Sequence, residues 1–249
     1  DYAASRGEYL NGIILADYLG YKFVDAAKGI FFDSKGNFDS DITNACLGAI
    51  LEKTPKAVIP GFYGAMPDGA IKTFSRGGSD FTGSVVAKAA GASLYENWTD
   101  VSGFLVADPR IVDKPEGIEV ITYSELRELS YMGAGVLHED AIFPVRSANI
   151  PINIKNTNAP DDAGTLIVPS AKNAPAKYLI TGIAGKKDFS VISIEKDRMN
   201  SEKGFMRRML QVLENHGIFP EHMPTGIDTV SVVVNSHELD GQRDKLTQR

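Results

Sequence analysis

The sequence predicts an α/β protein in which a layered sheet of alternating helices and strands is followed by a small α+β sandwich of the ferredoxin-like kind. Helical and strand patterns alternate up to Pro169, which is typical of a sheet covered by helices. Residues 170–177 have little to bury and indicate a linker. Beyond them, strand patterns flank one short amphipathic helix in ferredoxin-like order. We therefore predict a large domain over residues 1–170, a linker over 171–177 and a small domain over 178–249.

Hydrophobic periodicity and turn signals place the individual elements. In the large domain we predict helices at residues 8–19, 42–52 and 80–90 and strands at 22–25, 57–59, 93–97, 152–155 and 165–168. Thr122 and Glu125 form a capping-box pattern that opens a further helix. In the small domain we predict strands at 180–184, 190–195 and 229–234 and a helix at 204–215.

Composition argues against several classes of function. The 249 residues are 43% hydrophobic, which is enough for a buried core, and the formal net charge of -6 comes without a dense Lys/Arg block for a nucleic-acid backbone. Cys46 is the single cysteine, which rules out an internal disulfide and a multi-cysteine metal site. No apolar run is long enough for a membrane helix, and no secretory signal pattern is present. We expect a cytoplasmic protein whose partners are neither nucleic acid nor membrane, with no metal-ligand set of its own.

Both ends of the chain lack the signals of a domain terminus. Residues 1–6 run directly into apolar positions with helical spacing, namely Leu10, Ile13, Ile14 and Tyr18. Residues 244–249 are polar and carry no capping Gly or Pro. We therefore expect the chain to begin inside one fold and to stop before its last domain is complete.

The sharpest local signal is the glycine-rich segment at residues 74–80, which precedes a predicted helix. Two adjacent glycines allow close approach to an anion, and the helix offers unpaired N–H groups and a positive dipole end. Arg76 adds donors suited to a carboxylate or phosphate, and Asp80 is placed to orient a cation or a lysine near transferred phosphate. A tight turn with Ser79 as the N-cap explains the same residues equally well on spacing alone.

A second segment, residues 98–103 followed by 107–110, comes directly after a predicted strand. Ligands in open α/β sheets bind beyond the carboxyl ends of strands, so this loop is placed to meet a nucleotide. Thr99 and Asp100 supply a hydroxyl and an acceptor, and Arg110 is suited to neutralising phosphate. The commoner alternative is a polar turn with a solvated arginine.

Two further residues attract attention. Glu8 lies near the start of the first helix, where the dipole already favours an acid. If that helix end faces the same cleft as Arg76, the two side chains form a complementary pair for a zwitterion, which predicts an amino-acid substrate. His138 lies in a mostly apolar stretch, and we interpret it as a packing residue rather than a catalyst.

Taken in series, these segments resemble the aspartate kinases of the amino acid kinase family. The matching segments are residues 5–8, 61–64, 75–80, 98–101, 108–110, 131–134 and 136–138. The resemblance implies the layered αβα sheet of that family. It also implies transfer of the γ-phosphate of ATP to the side-chain carboxylate of L-aspartate, giving 4-phospho-L-aspartate, the first step towards lysine, threonine and methionine.

The resemblance also implies roles for individual residues. Glu8 would hold the substrate ammonium group and Arg76 its α-carboxylate, with Asp80 organising the transfer. The rest of the implied substrate loop is Gly77, Gly78 and Ser79, and the implied nucleotide pocket comprises Thr99, Asp100, Gly103, Arg110 and Gly135. Mg²⁺ would bridge the phosphates. Phosphoryl transfer depends on positioning and charge neutralisation, and the sequence shows no nucleophile-base motif.

The sequence also departs from the family pattern. Family members carry a Lys-Phe-Gly-Gly segment whose lysine contacts the transferring phosphate, and none precedes Asp1, so we expect the chain by itself to be inactive. Many relatives have a lysine where this chain has Gly135 and a proline where it has Glu139. The alternative is a non-catalytic, amino-acid-binding regulatory piece on a kinase-like scaffold. A kinase acting on glutamate, carbamate or a nucleotide is disfavoured, because those relatives generally lack a sensing module.

The region from Tyr178 resembles an ACT domain, the module with which these kinases commonly sense lysine or threonine. Such modules pair side by side, so the resemblance implies a homodimer with the effector bound between ACT domains. The positions that match the effector site are Met199, Asn200, Ser201, Gly204, Phe205, Glu221 and His222. For Glu221 and His222 the alternative is a solvated turn.

Overall fold

Alternating helices and strands make up the first of two compact units, Asp1–Ala184, and a shorter α/β arrangement makes up the second, Gly185–Arg249. The computed structural model describes residues 1–75, 77–133, 137, 139–170, 172, 179–242 and 246. Arg76, Gly135, His138 and nearly all of the predicted linker lie outside the described residues. No helix in the described ranges is long and apolar enough to cross a membrane.

The first unit contains five α-helices and eight strands among its described residues. The helices are α1 Tyr2–Leu19, α2 Ser40–Glu52, α3 Gly78–Ala89, α4 Tyr123–Tyr131 and α5 Phe143–Ser147. The strands are β1 Lys22–Phe23, β2 Ala57–Val58, β3 Tyr63–Ala65, β4 Ile71–Thr73, β5 Tyr95–Thr99, β6 Val120–Thr122, β7 Ile152–Asn156 and β8 Thr165–Val168. The predicted helices and strands of this unit are confirmed with shifted ends. The short elements β3, β4, β6 and α5 were not predicted.

The described residues of this unit form three sheets. Strands β1 and β2 pair in parallel, and β3 and β4 form an antiparallel pair. The main sheet has the order β5-β7-β8-β6, in which only the β7–β8 pair is antiparallel. Tyr95 pairs with Ile152 and Thr99 with Asn156, so β5 forms one edge of this sheet. The mixed α/β character of the prediction is confirmed.

Helix α3 contributes to two hydrophobic cores. The first core covers the main sheet and includes Ile152, Ile154 and Ala87 of α3. The second surrounds Ile30, Leu47 and Tyr63 and includes Val85 of α3. Because α3 is packed on both sides, the position of its N-terminal end is fixed by burial rather than by the loop that precedes it.

Helix α1 packs through small residues. Its buried positions are Ser5, Gly12 and Ala16, whereas the apolar residues with helical spacing, Leu10, Ile13, Ile14 and Tyr18, are exposed. A Cβ atom at Gly12 would lie 3.1 Å from Cε2 of Phe23 and 3.6 Å from Cβ of Pro60. The missing side chain thus lets α1 approach the β1–β2 region closely.

The predicted capping box at the start of α4 is confirmed. The backbone N–H of Thr122 donates to Oε2 of Glu125 at 2.9 Å, and the N–H of Glu125 donates to Oγ1 of Thr122 at 3.2 Å. The hydroxyl of Thr181 donates to the other oxygen of Glu125 at 2.5 Å, and the N–H of Ile183 donates to the carbonyl of Val106 at 2.8 Å.

The strand predicted at residues 180–184 is therefore wrong. This segment is not a strand and belongs to the first unit, because its polar groups bond to α4 and to the loop around Val106.

Among its described residues, the second unit is an antiparallel strand pair with one α-helix. Strands β9 Phe189–Glu195 and β10 Thr229–Asn235 pair along their whole lengths, and α6 Phe205–Asn215 supplies Met209 and Leu213 to the core. The inward residues of β10 are Val230, Val232 and Val234, which alternate as a half-buried strand requires. The predicted strands 190–195 and 229–234 and the predicted helix are confirmed, whereas the ferredoxin-like ACT assignment and the domain limits stay predictions.

Candidate active site

The glycine-rich segment leads from β4 into α3. Gly77 is the N-cap residue of α3 with φ 58°, a left-handed conformation that favours glycine. A Cβ atom at Gly78 would lie 2.8 Å from Cβ of Phe62 and 3.0 Å from Cβ of Phe74, which is closer than side-chain carbons normally approach. The left-handed backbone therefore favours glycine at position 77, and the close packing requires glycine at position 78.

The structure excludes Ser79 as the N-cap of this helix. Helix α3 begins at Gly78, so the exposed Ser79 is its second residue, and no side chain among the described residues caps the helix end. Asp80 stands in the first turn, as predicted. The first N–H groups of α3 are therefore not occupied by a capping side chain, which is the arrangement expected of an anion-binding helix end.

Residues 61–62 support the start of α3 from one side. The hydroxyl of Thr82 donates to the carbonyl of Gly78 at 2.8 Å and accepts from the N–H of Phe62 at 2.9 Å. A Cβ atom at Gly61 would lie 3.2 Å from Cα of Ser79. Phe62 itself has φ 62°, a conformation that costs a non-glycine residue about 1 kcal/mol or more. This local strain is consistent with a loop held in one functional geometry.

Asp80 is held from the other side by β5. The amide Nδ2 of Asn97 donates to Oδ1 of Asp80 at 2.9 Å and to the Tyr95 hydroxyl at 3.0 Å. The Tyr95 hydroxyl in turn donates to the carbonyl of Asp80 at 3.3 Å. Burial raises the pKa of Tyr95, the hydrogen bond from Asn97 lowers it, and the Asp80 carboxylate raises it.

Sequence reasoning missed Tyr95 and Asn97 as site residues. The only signal was the period of two along β5, which places residues 95, 97 and 99 on one face of the strand. Asn97 bonds to Asp80, and Thr99 ends the same strand, so Asp80 of the segment 74–80 contacts the strand that leads into the loop 98–103.

Glu8 is exposed on α1, and its relation to Arg76 stays a prediction because Arg76 is outside the described residues. The first turn of α1 touches the end of β4, since the N–H of Thr73 donates to Oδ2 of Asp1 at 3.2 Å. One turn after Glu8, Gly12 packs near Pro60, which directly precedes the Gly61 that contacts Ser79. These contacts place the start of α1 next to the glycine-rich segment.

The neighbours of Glu8 in the matching segment have structural partners. The Arg6 guanidinium donates to Oγ of Ser5 at 2.9 Å and lies over the Tyr9 ring, 4.3 Å from its centroid. The Ser5 hydroxyl donates to the carbonyl of Tyr2 at 2.8 Å. Ser5 and Arg6 therefore hold the first turns of α1, and Glu8 is the acidic side chain that this segment presents to solvent.

The loop after β5 is fixed by neighbouring strands. The carbonyl of Thr99 accepts from the N–H of Thr157 at 2.8 Å, and the hydroxyl of Thr99 donates to Oδ1 of Asp100 at 3.3 Å. Gly103 has φ 96°, and a Cβ atom there would lie 2.3 Å from Oγ1 of Thr165. A glycine is thus required at position 103 for backbone reasons, whatever its role towards a nucleotide.

Arg110 is paired within its own turn. Its Nε donates to Oδ1 of Asp108 at 3.0 Å and its NH2 to Oδ2 at 2.6 Å, while 84% of its side chain is exposed. The adjacent carboxylate raises the pKa of Arg110. To bind phosphate, Arg110 would have to exchange Asp108 for the new anion, a change that its exposure permits.

A cavity of about 560 Å³ opens beside the start of α3. Its lining includes Gly61, Ser79, Thr82 and Gly83, together with apolar residues of α2 and β2. None of the described residues that line it carries a charge. The described lining therefore offers no charged side chain to a charged amino acid or nucleotide.

In the second unit, the predicted effector residues divide into two groups. Met199 is buried in the core, and Phe205 packs against that core at the start of α6. Asn200, Ser201 and Gly204 are exposed, and Gly204 is the N-cap of α6 with φ 78°. The side chains of Met199 and Phe205 are therefore packing residues, whereas Asn200, Ser201 and Gly204 are exposed to solvent, and the effector site stays a prediction.

Residues 221–222 lie beside β10. The N–H of Glu221 donates to the carbonyl of Val233 at 2.9 Å, and the N–H of Val233 donates to the carbonyl of His222 at 2.8 Å. The alternative of a freely solvated turn is therefore wrong for the backbone, although the His222 side chain is exposed.

A charged cluster stands at the start of α6. The Glu202 carboxylate contacts both Lys196 and Arg208, and these cations, Lys196 first, lower the pKa of Glu202. Glu202 lies in the loop that resembles the ACT effector site, whereas sequence reasoning did not single out Lys196 and Arg208.

The chain is similar in sequence to a known protein family. The model of the amino acid kinase family matches residues 1–156. Aspartokinase 3 of Bacillus subtilis is 39% identical over 257 aligned residues, which cover 100% of this chain and 55% of that protein.

Solved structures of aspartokinases are also similar to this chain. The crystal structure of Clostridium acetobutylicum aspartate kinase has a TM-score of 0.90 and 58% identity, and the match covers 100% of this chain and 57% of that one. Two structures of Escherichia coli aspartokinase III, in complex with lysine and aspartate and with aspartate and ADP, have TM-scores of 0.71 and 0.70, each at 25% identity. They cover 95% and 93% of this chain and 55% and 54% of their own.

This chain spans about half the length of the curated relatives it matches. Its mixed α/β fold is that of the aspartokinases over the aligned part. The family match covers more than half of the chain and includes α1, the glycine-rich segment and the loop after β5. The chain belongs to the amino acid kinase family.

Proposed function

We propose that the chain is part of an aspartate kinase, which transfers the γ-phosphate of ATP to the side-chain carboxylate of L-aspartate and yields 4-phospho-L-aspartate. The observation that carries this proposal is the agreement, over the whole chain, with aspartokinases at 39% identity in sequence and 58% in a solved structure. These relatives are enzymes, so the non-catalytic alternative is not favoured. The product would be the first intermediate towards lysine, threonine and methionine.

The helix end at Gly78 supports a site for negatively charged groups. Its N–H groups carry no side-chain cap, and the positive end of the helix dipole favours an anion there. In the proposed site, Arg76 and the loop of Gly77, Gly78 and Ser79 bind the α-carboxylate of aspartate, and Glu8 binds its ammonium group. Holding both poles of the zwitterion would bring the side-chain carboxylate close to the transferred phosphate, which is the main requirement of phosphoryl transfer.

The loop after β5 is the proposed nucleotide site. Thr99, Asp100, Gly103, Arg110 and Gly135 are the residues that we assign to ATP, and a solved relative is described in complex with aspartate and ADP. The proximity of this loop to Asp80 through Asn97 supports the assignment.

Mg²⁺ would accompany the nucleotide in this proposal and neutralise phosphate charge. The described residues contain no group of three or more acidic, His or Cys side chains suited to a metal. Such a sparse donor set fits an ion held by one or two carboxylates, phosphate oxygens and water.

We further propose that the region predicted as residues 178–249, of which Gly185–Arg249 forms the compact second unit, is an ACT-type regulatory domain, preceded by the kinase domain over 1–170 and the linker over 171–177. The antiparallel pair β9–β10 with α6 on one face supports this proposal. An Escherichia coli relative is described in complex with lysine and aspartate, so lysine is the first effector to test and threonine the second. The proposed effector contacts are Asn200, Ser201, Gly204, Glu221 and His222, with Met199 and Phe205 beneath them, in a homodimer formed through these domains.

The proposal is tested by measuring ADP production from ATP, with and without L-aspartate, by the native polypeptide that contains this chain. Asp80→Asn should lower kcat at least about 100-fold, because charge organisation in the transition state is lost. Arg76→Ala should raise KM for aspartate about 10-fold or more, because a charged hydrogen bond to the α-carboxylate is removed.

Glu96→Gln provides the control, since Glu96 is exposed on the opposite face of β5. ADP production that does not depend on aspartate would overturn the proposal, as would a wild-type rate for Asp80→Asn.

A further inference from the structure

Tyr95 reaches the start of α3 only because residue 83 has no side chain. A Cβ atom at Gly83 would lie 2.3 Å from the Tyr95 hydroxyl oxygen and 2.8 Å from Cζ of the ring. The ring therefore crosses α3 at Gly83, and its hydroxyl bonds to the carbonyl of Asp80, three residues earlier in the helix.

Asn97 completes a closed network around Asp80. Its Nδ2 group uses its two hydrogens on Oδ1 of Asp80 at 2.9 Å and on the Tyr95 hydroxyl at 3.0 Å. Asn97 is 8% exposed, so its amide has little access to water as an alternative partner. The backbone and the carboxylate of Asp80 are thus both held by β5.

We propose that Asn97 is a positioning residue that, together with Tyr95, sets the orientation of the Asp80 carboxylate at the edge of the active site. The inference rests on the proposed function, in which Asp80 organises phosphoryl transfer. Asn97 does not touch substrate in this scheme and acts only through Asp80.

The physical reason is the freedom that Asp80 would otherwise have. A carboxylate in the first turn of a helix can rotate towards the unpaired N–H groups of the helix end, where it is electrostatically favoured. A charge-assisted hydrogen bond from a buried amide opposes that rotation and directs one oxygen away from the helix end. Small displacements of a catalytic group cost large factors in rate, so this orientation should affect kcat more than substrate binding.

The kinetic test compares Asn97→Leu and Asn97→Asp with the matched control Glu96→Gln on the outer face of the same strand. Both Asn97 variants should lose about 10- to 100-fold in kcat, while KM for aspartate and for ATP changes less than about twofold. Asn97→Asp should be at least as impaired, because it places a second carboxylate against Asp80. Thermal unfolding of each variant shows whether it is folded at the assay temperature. Folded Asn97 variants with unchanged kcat, or with a loss confined to KM, would overturn the proposal.

A second measurement does not require activity. The tyrosine Cζ resonance that disappears in Tyr95→Phe reports the titration of Tyr95 in this chain. Asn97→Leu should raise the pKa of Tyr95, because the hydroxyl oxygen loses a donor that stabilises the phenolate, and Asp80→Asn should lower it, because a negative charge is removed.

The kinetic assay and the Tyr95 titration distinguish a failure of the proposed function from a failure of the network around Asp80. If the wild type produces no ADP with aspartate but the pKa of Tyr95 changes as expected in Asn97→Leu and Asp80→Asn, the proposed function fails and the network around Asp80 stands. A Tyr95 titration that both substitutions leave unchanged would show that the network does not form, and would overturn the inference even in an active kinase.

Discussion

Glycines 7 and 78 look equally permissive in the sequence but have different surroundings. A Cβ atom at Gly7, in the exposed part of α1, would have nothing within 4 Å, whereas at Gly78 it would collide with the Cβ atoms of Phe62 and Phe74. Gly7 lies inside α1, where the intrinsic cost of glycine in a helix applies, whereas Gly78 is the first residue of α3, where this cost is smaller. The packing at Gly78 opposes a side chain that Gly7 would accept, so the pair tests the geometry of the glycine-rich segment.

Gly78→Ala should lower the free energy of unfolding by roughly 1–3 kcal/mol, because the new methyl group must displace residue 62 or 74. Gly7→Ala should raise it by roughly 0.5–1 kcal/mol, because alanine favours the helix. Urea unfolding followed by far-ultraviolet circular dichroism measures both changes. Equal stabilisation by the two substitutions would show that Gly78 does not pack against Phe62 and Phe74 as described.

At the scale of elements, the capping box of α4 links a helix end to a distant segment. Hydroxyl donors lower the pKa of Glu125, with Thr181 the larger contributor and Thr122 the next. A carboxyl group whose pKa is lower in the folded than in the unfolded state stabilises the fold at pH values above its ordinary pKa of 4.5. It loses this contribution as the pH falls through the lowered pKa of the folded state. The stabilisation by the Glu125 charge should therefore be present at neutral pH and disappear in acid.

Glu125→Gln keeps a side chain that can complete the capping box and removes the charge. We expect the variant to unfold at a lower temperature than the wild type at pH 7, with the difference shrinking towards zero near pH 3. Glu128→Gln, an exposed position on the same helix, should show no comparable trend. A difference between Glu125→Gln and wild type that stays constant between pH 7 and 3 would contradict the assignment.

The long periodic elements could be predicted from the sequence, and the short ones could not. Helices α1, α2, α3 and α6 carry enough turns for a pattern to emerge, whereas β3 and β4 have three residues each and are defined by their pairing. At residues 180–184 the sequence predicts a strand that the structure does not contain. The spacing of these residues suggests a strand, but Gly182 packs near Ile118 and Leu129, and Thr181 bonds to Glu125.

In the candidate site, too, local sequence patterns predict some residues and miss those that act through long-range contacts. The predicted glycine-rich loop and the Asp80 position follow from residue types that have a known physical use. Tyr95 and Asn97 act through one contact across the chain, from β5 to α3, and no local pattern marks such a contact. Long-range pairs of this kind require coordinates.

For the whole molecule, the decisive feature is that each unit has a hydrophobic core of its own. Leu126, 1% exposed, belongs to the core over the main sheet, and Leu213, 4% exposed, belongs to the core between α6 and β10. A unit with its own core can unfold as a cooperative unit. The single tryptophan, Trp98, lies on β5 and therefore reports on the first unit only.

Leu126→Ala and Leu213→Ala should each destabilise one unit by roughly 2–5 kcal/mol, since both leave a cavity in a packed core. In denaturant titrations, Leu126→Ala should shift the midpoint of Trp98 fluorescence to lower concentration. Leu213→Ala should leave that midpoint unchanged and shift only part of the circular dichroism signal, because the helix α6 unfolds without affecting the environment of Trp98. If Leu213→Ala moved the fluorescence midpoint as far as Leu126→Ala does, the two cores would unfold together, and the division between Ala184 and Gly185 would not be a boundary of folding.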